Sequence, residues 1–245
     1  MSNPKFMLGY DYQWLSVQGD KRPLYAPIGH TIVVGGSGSG KSTSVLYWLW
    51  KLVKNNDVEL TIVDFKASHE FAGIVAEPER FAEFNELACY SLIEDFYNRY
   101  TSIPEGGDSR IHVLLIDEAA GLLNHLSLTK EGSALANKIR LYLSSLLMGG
   151  RSRLCFTWLV MQRYSASIFP SSSGAADNFH VCVGLGRLTV DGRKGLFAGE
   201  HFEGEENLQF GQGRGIVLID GQPLRALIIP KVSKAKLLKL LQGKG

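Results

Sequence analysis

The chain has 245 residues, 45% of them hydrophobic and 20% charged, with a formal net charge of +2 and a pI near 8.4. That is enough apolar material for one large α/β domain with a substantial core. No internal repeat is visible, no apolar run approaches the ~20 residues needed to span a bilayer, and the small net charge neither demands nor excludes a nucleic-acid partner. The three cysteines, Cys89, Cys155 and Cys182, are odd in number and lack metal-ligand spacing. Buried thiols in a reducing compartment, and so a soluble cytoplasmic protein, are expected.

Taken in chain order, residues 1–29 read as an irregular lead-in across the domain surface, because Pro4, Pro23 and Pro27 interrupt any regular element while Tyr10, Tyr12 and Trp14 are available to pack. Thr31 to Val34 is a short buried strand running into Gly35-Gly36-Ser37-Gly38-Ser39-Gly40-Lys41-Ser42-Thr43. This is the Gly-x4-Gly-Lys-Ser spacing of a phosphate-binding loop. Glycines at 35, 36, 38 and 40 can take positive φ and carry no Cβ, so successive amides can turn inward around an oligophosphate. A helix from Lys41 to about Lys54 aims its unpaired N–H groups at the same place, with Val45, Leu46, Leu49, Leu52 and Val53 on its apolar face. Lys41 can reach the β and γ phosphates, and the Ser42 hydroxyl can ligate Mg²⁺. Trp48 and Trp50 on this helix are expected to serve core or flank packing.

Val58 to Val63 is a second strand, ending in Asp64-Phe65-Lys66, and a helix is expected over Phe81–Tyr100 before a turn at 104–108. Ile111 to Ile116 is a third strand that delivers Asp117-Glu118 at its C-terminal end, where open α/β sheets bind ligands. Asp117 is placed to hold Mg²⁺ and Glu118 to polarise the attacking water. The alternative is an Asp-Glu pair that merely caps the next helix.

A partly looped stretch over 121–132 leads to a helix over 133–147, closed by Gly149-Gly150. A fourth strand, Leu154 to Met161, ends in Gln162-Arg163, where Gln162 can bond the γ-phosphate or the water. An exposed loop over 170–174 and a fifth strand, Val181 to Leu185, follow. Asp191 is expected to cap a short helix ending near Phe197. Gly215 to Ile219 and Leu224 to Ile229 flank Asp220-Gly221 as a hairpin, and Ser233 to Leu241 is a small amphipathic helix. Strands alternating with helices imply a mostly parallel central sheet covered on both faces, made mixed by the C-terminal antiparallel hairpin. The domain reading is 1–29 lead-in, 30–232 P-loop ATPase domain, and 233–245 helix and tail. Asn137-Lys138 is followed by Ile139-Arg140 and so does not make the base-reading motif of guanine-nucleotide switches, which favours ATP.

Over roughly residues 23–230 the chain resembles the FtsK/SpoIIIE–HerA superfamily of ring-forming DNA-pumping ATPases, including conjugative coupling proteins. The resemblance is carried by His30, the phosphate loop, Asp64 and Lys66, Asp117-Glu118, Gly150-Arg151, Gln162-Arg163, Asp177-Asn178-Phe179 and Gly213-Arg214-Gly215. It implies a P-loop NTPase of RecA-like (ASCE) type. It further implies a homo-oligomeric, hexameric ring that hydrolyses ATP with Mg²⁺, holds nucleotide at subunit junctions and passes double-stranded DNA through the channel without reading sequence. A neighbour's arginine would complete each site, with Arg187 and Arg193 the leading candidates and Arg151, Arg153 and Arg163 also open. Members of this superfamily commonly carry transmembrane and accessory domains that are not found here, which implies a motor fragment or a compact member recruited by a membrane or mobile-element partner. Conjugative coupling or viral genome packaging, moving single-stranded DNA or a protein–DNA conjugate, is the alternative. A nucleotide-gated assembly factor with little motor activity is the alternative of another class.

Overall fold

A computed structural model describes residues 5–75, 77–106, 109–170 and 173–243. Pro4, the end of the expected turn (Gly107 and Asp108), part of the expected loop (Ser171 and Ser172) and the last two residues of the tail lie outside the described residues. The chain forms two compact α/β units, one from residues 5–55, 162–164 and 180–243 and the other from 56–161 and 165–179.

The first unit contains strands β1 (Lys5–Asp11), β2 (Pro23–Pro27) and β3 (Thr31–Gly35), with helices α1 (Tyr12–Gln18) and α2 (Lys41–Asn55). The chain then leaves for the second unit. That unit holds β4 (Val58–Asp64), β5 (Phe81–Glu83), α3 (Glu86–Ser102), β6 (Ile111–Asp117), α4 (Ala119–Leu126), α5 (Lys130–Gly149) and β7 (Cys155–Met161). Returning to the first unit, it forms β8 (Val181–Leu185), α6 (Val190–Phe197), β9 (Arg214–Ile219), β10 (Arg225–Ile228) and α7 (Lys234–Gln242).

Strand order in the first unit is β2-β1-β10-β9-β8-β3. Only β3 and β8 run parallel there, in register from Thr31↔Val181 to Gly35↔Leu185, and the other pairings are antiparallel. Its core joins Ile32, Val33 and Val183 to Leu46, Leu49 and Leu52 of α2. Trp48 is fully buried, and its indole N–H donates to the Leu8 carbonyl at 2.7 Å, so it is a core residue that ties α2 to β1.

The second unit is parallel throughout its described pairings, in the order β7-β6-β4-β5. Every residue of β6 and β7 is buried, as strands covered on both faces require. Glu59 enters from β4 as a half-buried carboxylate paired with Arg80, Arg99 and the His112 ring.

Several expectations need correction. The irregular lead-in over 1–29 is instead a strand, a helix and an edge strand. Asp11 caps α1 by accepting the Trp14 amide, Gly19 closes it in the left-handed region, and Pro23 and Pro27 sit at the two ends of β2, an edge position that tolerates proline. The helix expected from Phe81 starts at Glu86, because Phe84 adopts a positive φ of 57° and Asn85 caps by accepting the Leu87 and Ala88 amides, leaving Phe81–Glu83 as the short strand β5. The partly looped stretch over 121–132 comprises the second part of α4, a turn at 127–129 and the start of α5, which begins at Lys130 ahead of the expected 133. Thr189, not Asp191, caps α6.

Candidate active site

The phosphate loop belongs to the first unit. Gly35 ends β3 so close to β8 that any Cβ there would lie 2.5 Å from the Leu185 carbonyl oxygen, which makes glycine obligatory. Gly38 and Gly40 have φ of 74° and 93°, left-handed conformations that glycine adopts without strain, and the Ser39 amide closes the turn by donating to the Gly36 carbonyl at 3.2 Å. Lys41 donates from Nζ to the carbonyls of Gly35 at 2.5 Å and Gly36 at 3.0 Å, so its charge already lies against the loop.

Ser42 and Thr43 follow in the first turn of α2, half-buried, with Ser44 bonding back to Gly40 at 2.8 Å. The loop is buttressed from behind. The Gly213 amide donates to the Ser39 carbonyl at 2.8 Å, and a Cβ at Gly186 would stand 3.1 Å from that of Ser39. Ser37 is exposed, whereas the Ser39 hydroxyl is buried with no hydrogen-bond partner among the described residues. A buried hydroxyl of that kind in a glycine-rich loop fits an anionic oxygen.

A cavity of about 480 Å³ opens beside the loop. Gly40, Thr43 and Ser44 line one side, and Gln212, Gly213 and the segment from Ile229 to Lys234 line the other. It has the volume of a small-ligand site. From the sequence, Gly213 enters only through the Gly213-Arg214-Gly215 resemblance, and Ile229 and Ser233–Lys234 only as parts of a hairpin and a helix, because nothing local in those residues signals that the chain folds back against the loop.

The carboxylates belong to the second unit. Parallel pairing of β4 with β6 sets Asp64 directly beside Asp117. Asp64 is fully buried and accepts hydrogen bonds from the Ser68 amide at 3.3 Å and the Ser68 hydroxyl at 3.0 Å. Burial, then the charges of Asp64, Glu118 and Glu70, raise the pKa of Asp117 to about 7, with Lys66 opposing them. Such a concentration of negative charge fits a divalent cation. Among the described residues no group of three or more His, Cys, Asp or Glu is placed to hold a metal ion by itself.

Glu118 stands at the start of α4 with φ 62° and ψ 48°, and its side chain makes no capping bond. A carboxylate that served only as a helix cap would take an extended backbone and accept an amide, as Asn85 and Thr129 do. Its backbone amide is instead bound to the Val160 carbonyl at 2.9 Å, which anchors the left-handed turn. Strain of this kind in a non-glycine residue persists only where the surroundings over-determine it.

Gln162 follows β7 and is half-buried in the first unit. The arginines separate clearly. Arg193 is committed to Glu205 at 2.5 Å and to the Glu200 carbonyl at 2.8 Å, and Arg153 to the Ile103 carbonyl at 2.7 Å. Arg151, Arg163 and Arg187 are exposed and make no ion pair among the described residues. Arg187 follows Gly186, the residue pressed against Ser39 of the loop.

No family model and no curated protein matches the chain. Solved structures do. The pCW3 conjugation coupling protein TcpA, determined as a monomer with ATPγS, aligns with 98% of this chain and 71% of its own at 18% identity and a TM-score of 0.70. The cytoplasmic domain of the type VII secretion ATPase EccC of Thermomonospora curvata aligns with 98% of this chain at 15% identity and a TM-score of 0.67, and the chain spans only 30% of that structure's length. The genome packaging NTPase B204 of Sulfolobus turreted icosahedral virus 2, with sulfate bound, is covered over 98% of its length at 15% identity and a TM-score of 0.58. No helix among the described residues is long and apolar enough to cross a membrane. With a glycine loop that ends in Lys41 and Ser42, paired carboxylates at the ends of parallel strands and these neighbours, the chain has the fold of the FtsK/SpoIIIE-like P-loop ATPase domains.

Proposed function

We propose that this chain is an ATP-hydrolysing motor that moves double-stranded DNA as a homo-oligomeric ring. In this reading the amides of Gly36 to Lys41 and the Ser39 hydroxyl bind the phosphates, and Lys41 neutralises the β and γ oxygens. The base and ribose rest in the cavity between Thr43 and Ile229. Ser42 and Asp117 would hold Mg²⁺, which when bound draws charge from the phosphate oxygens. Glu118 accepts a proton from the attacking water, and Gln162 bonds the water or the terminal phosphate.

The observation that carries hydrolysis, as distinct from binding, is Glu118. Its backbone is left-handed and its carboxylate makes no capping bond, next to a residue whose surroundings call for a cation. With Arg193 tied to Glu205, Arg187 is the better candidate for the arginine supplied to a neighbouring site, since an exposed guanidinium can reach a second copy. DNA as the moved polymer is supported by the TcpA and B204 likenesses and by the sequence resemblance. The TcpA likeness also favours conjugative coupling, in which a single strand or a protein–DNA conjugate is moved.

Steady-state ATP hydrolysis is the test, measured alone, with long duplex and with single strands, for the native chain and Glu118→Gln. Duplex should stimulate the native chain most, and Glu118→Gln should bind nucleotide without turnover. Stronger stimulation by single strands would favour the coupling reading, and indifference to nucleic acid would leave an assembly factor. Sedimentation with a non-hydrolysed ATP analogue should show species larger than the monomer.

A further inference from the structure

The far wall of the cavity beside the phosphate loop is the stretch Ile229 to Lys234, which joins β10 to α7 within the first unit. Its first residue is tied to the loop through the backbone. The Ile229 amide donates to the Gly213 carbonyl at 2.8 Å, and the Gly213 amide donates to the Ser39 carbonyl at 2.8 Å. Its last residues belong to α7. Ser233 caps that helix by accepting the Lys236 amide at 3.3 Å, Lys234 is its first residue, and both line the cavity. Pro230, Lys231 and Val232 between them lie in neither helix nor strand, and Pro230 has no amide hydrogen to donate. The two ends of this wall therefore set where it stands.

Helix α7 has 9 residues, fewer than a helix needs to persist in water by itself. It packs on α2, and its buried residues are Leu237 and Leu241, 0% and 4% exposed and one turn apart on the same face. The partner helix α2 begins at Lys41 of the phosphate loop. The cavity is thus bounded by a closed circuit of contacts that runs from the loop along α2 to α7, through the wall to Gly213, and back to Ser39. We infer that α7 is a positioning element of the nucleotide site: burial of Leu237 and Leu241 holds the Ile229–Lys234 wall against the bound base and ribose, and so sets the affinity for ATP without taking part in its cleavage. This rests on the proposed reading that nucleotide occupies the cavity, and adds what governs its retention there. The coupling is reciprocal, since a ligand bound more tightly when α7 is docked must favour the docked helix by the same factor.

The test combines titration of a fluorescent ATP analogue and DNA-free steady-state hydrolysis, for the native chain, Leu237→Asp and Leu237→Met, with amide hydrogen exchange on the native chain. Leu237→Asp should weaken analogue binding and raise KM by at least ~10-fold, within the roughly 5- to 150-fold range of coupled sites, with kcat at saturating ATP retained. Leu237→Met, which keeps the apolar volume, should behave as the native chain does. In the native chain, a saturating non-hydrolysed analogue should slow exchange of the Leu237–Leu241 amides while α1, a short helix of the same unit away from the cavity, exchanges as before. Native affinity in Leu237→Asp, or a fall in kcat with KM unchanged, would overturn the inference and leave the site reading intact. If Leu237→Asp does not fold, exchange decides: α7 amides indifferent to saturating analogue would overturn the inference. Analogue binding that is absent from the native chain, or that survives undiminished in Lys41→Ala, would overturn the site reading and this inference with it.

Discussion

Replacing Asp117 by asparagine should stabilise the metal-free chain at alkaline pH, although it removes a proposed metal ligand. Asp117 is 7% exposed, lies beside Asp64 in the β4–β6 register, and has its pKa raised from 3.8 to about 7, first by burial and then by Asp64, Glu118 and Glu70. A carboxyl whose folded pKa exceeds its unfolded value binds its proton more tightly when folded. Its contribution to stability is therefore fully present below about pH 4, and is lost as pH rises through about 7. A shift of that size corresponds to a destabilisation on the order of 4 kcal/mol once the group is fully ionised, at about 1.4 kcal/mol per unit. Asparagine has the shape of the protonated acid and never ionises. Urea unfolding in EDTA from pH 5 to 8.5 should show the variant gaining on the native chain with rising pH, by up to roughly 4 kcal/mol, and the gap closing toward pH 4. Added Mg²⁺ should stabilise the native chain more than the variant at pH 8. Parallel pH profiles, or a variant less stable than the native chain at pH 8.5, would refute the idea that crowded negative charge governs this residue.

Other outcomes follow from single residues. Glu118→Gln should lower turnover by about 10²- to 10⁴-fold with nucleotide affinity retained, as judged by steady-state kinetics and titration of a fluorescent ATP analogue. Gly40→Ala should weaken nucleotide binding in the same titration, because φ is 93° there and the new Cβ would sit 3.0 Å from the Gly213 amide nitrogen. Arg193→Ala should cost about 1–3 kcal/mol in urea unfolding, since it strands the half-buried Glu205, whereas Arg187→Ala should leave stability unchanged and reduce hydrolysis in the assembled state.

Much of the fold could be read from the chain because its central strands obey simple rules. Val113 to Ile116 is an unbroken apolar run and Phe156 to Met161 is interrupted only by Thr157, as befits strands covered on both faces, and the Gly-x4-Gly-Lys-Ser spacing admits few other conformations. The N-terminal strands were hidden by Pro23 and Pro27, which read as breakers along the chain and become acceptable only once β2 is known to be an edge. The start of α3 was misplaced because the apolar spacing from Phe81 onward is helical, while the left-handed turn at Phe84 is set by tertiary structure. The candidate site was only partly legible. Lys41, Asp117 and Glu118 carry their chemistry in their spacing. The partner of Asp117, Asp64, and the wall of the cavity at Gln212 and Ile229 depend on strand register and on a return of the chain from far away, and the pairing of Arg193 with Glu205 has no signature in a linear pattern.

In the proposed function, cleavage of ATP drives movement along duplex DNA. Displacement of a third strand from a triplex-bearing duplex measures that movement directly. ATP should release the third strand in the presence of the native chain, and neither a non-hydrolysed analogue nor the Glu118→Gln variant should do so. Hydrolysis stimulated by the duplex, with the third strand left in place at every ATP concentration, would contradict the account.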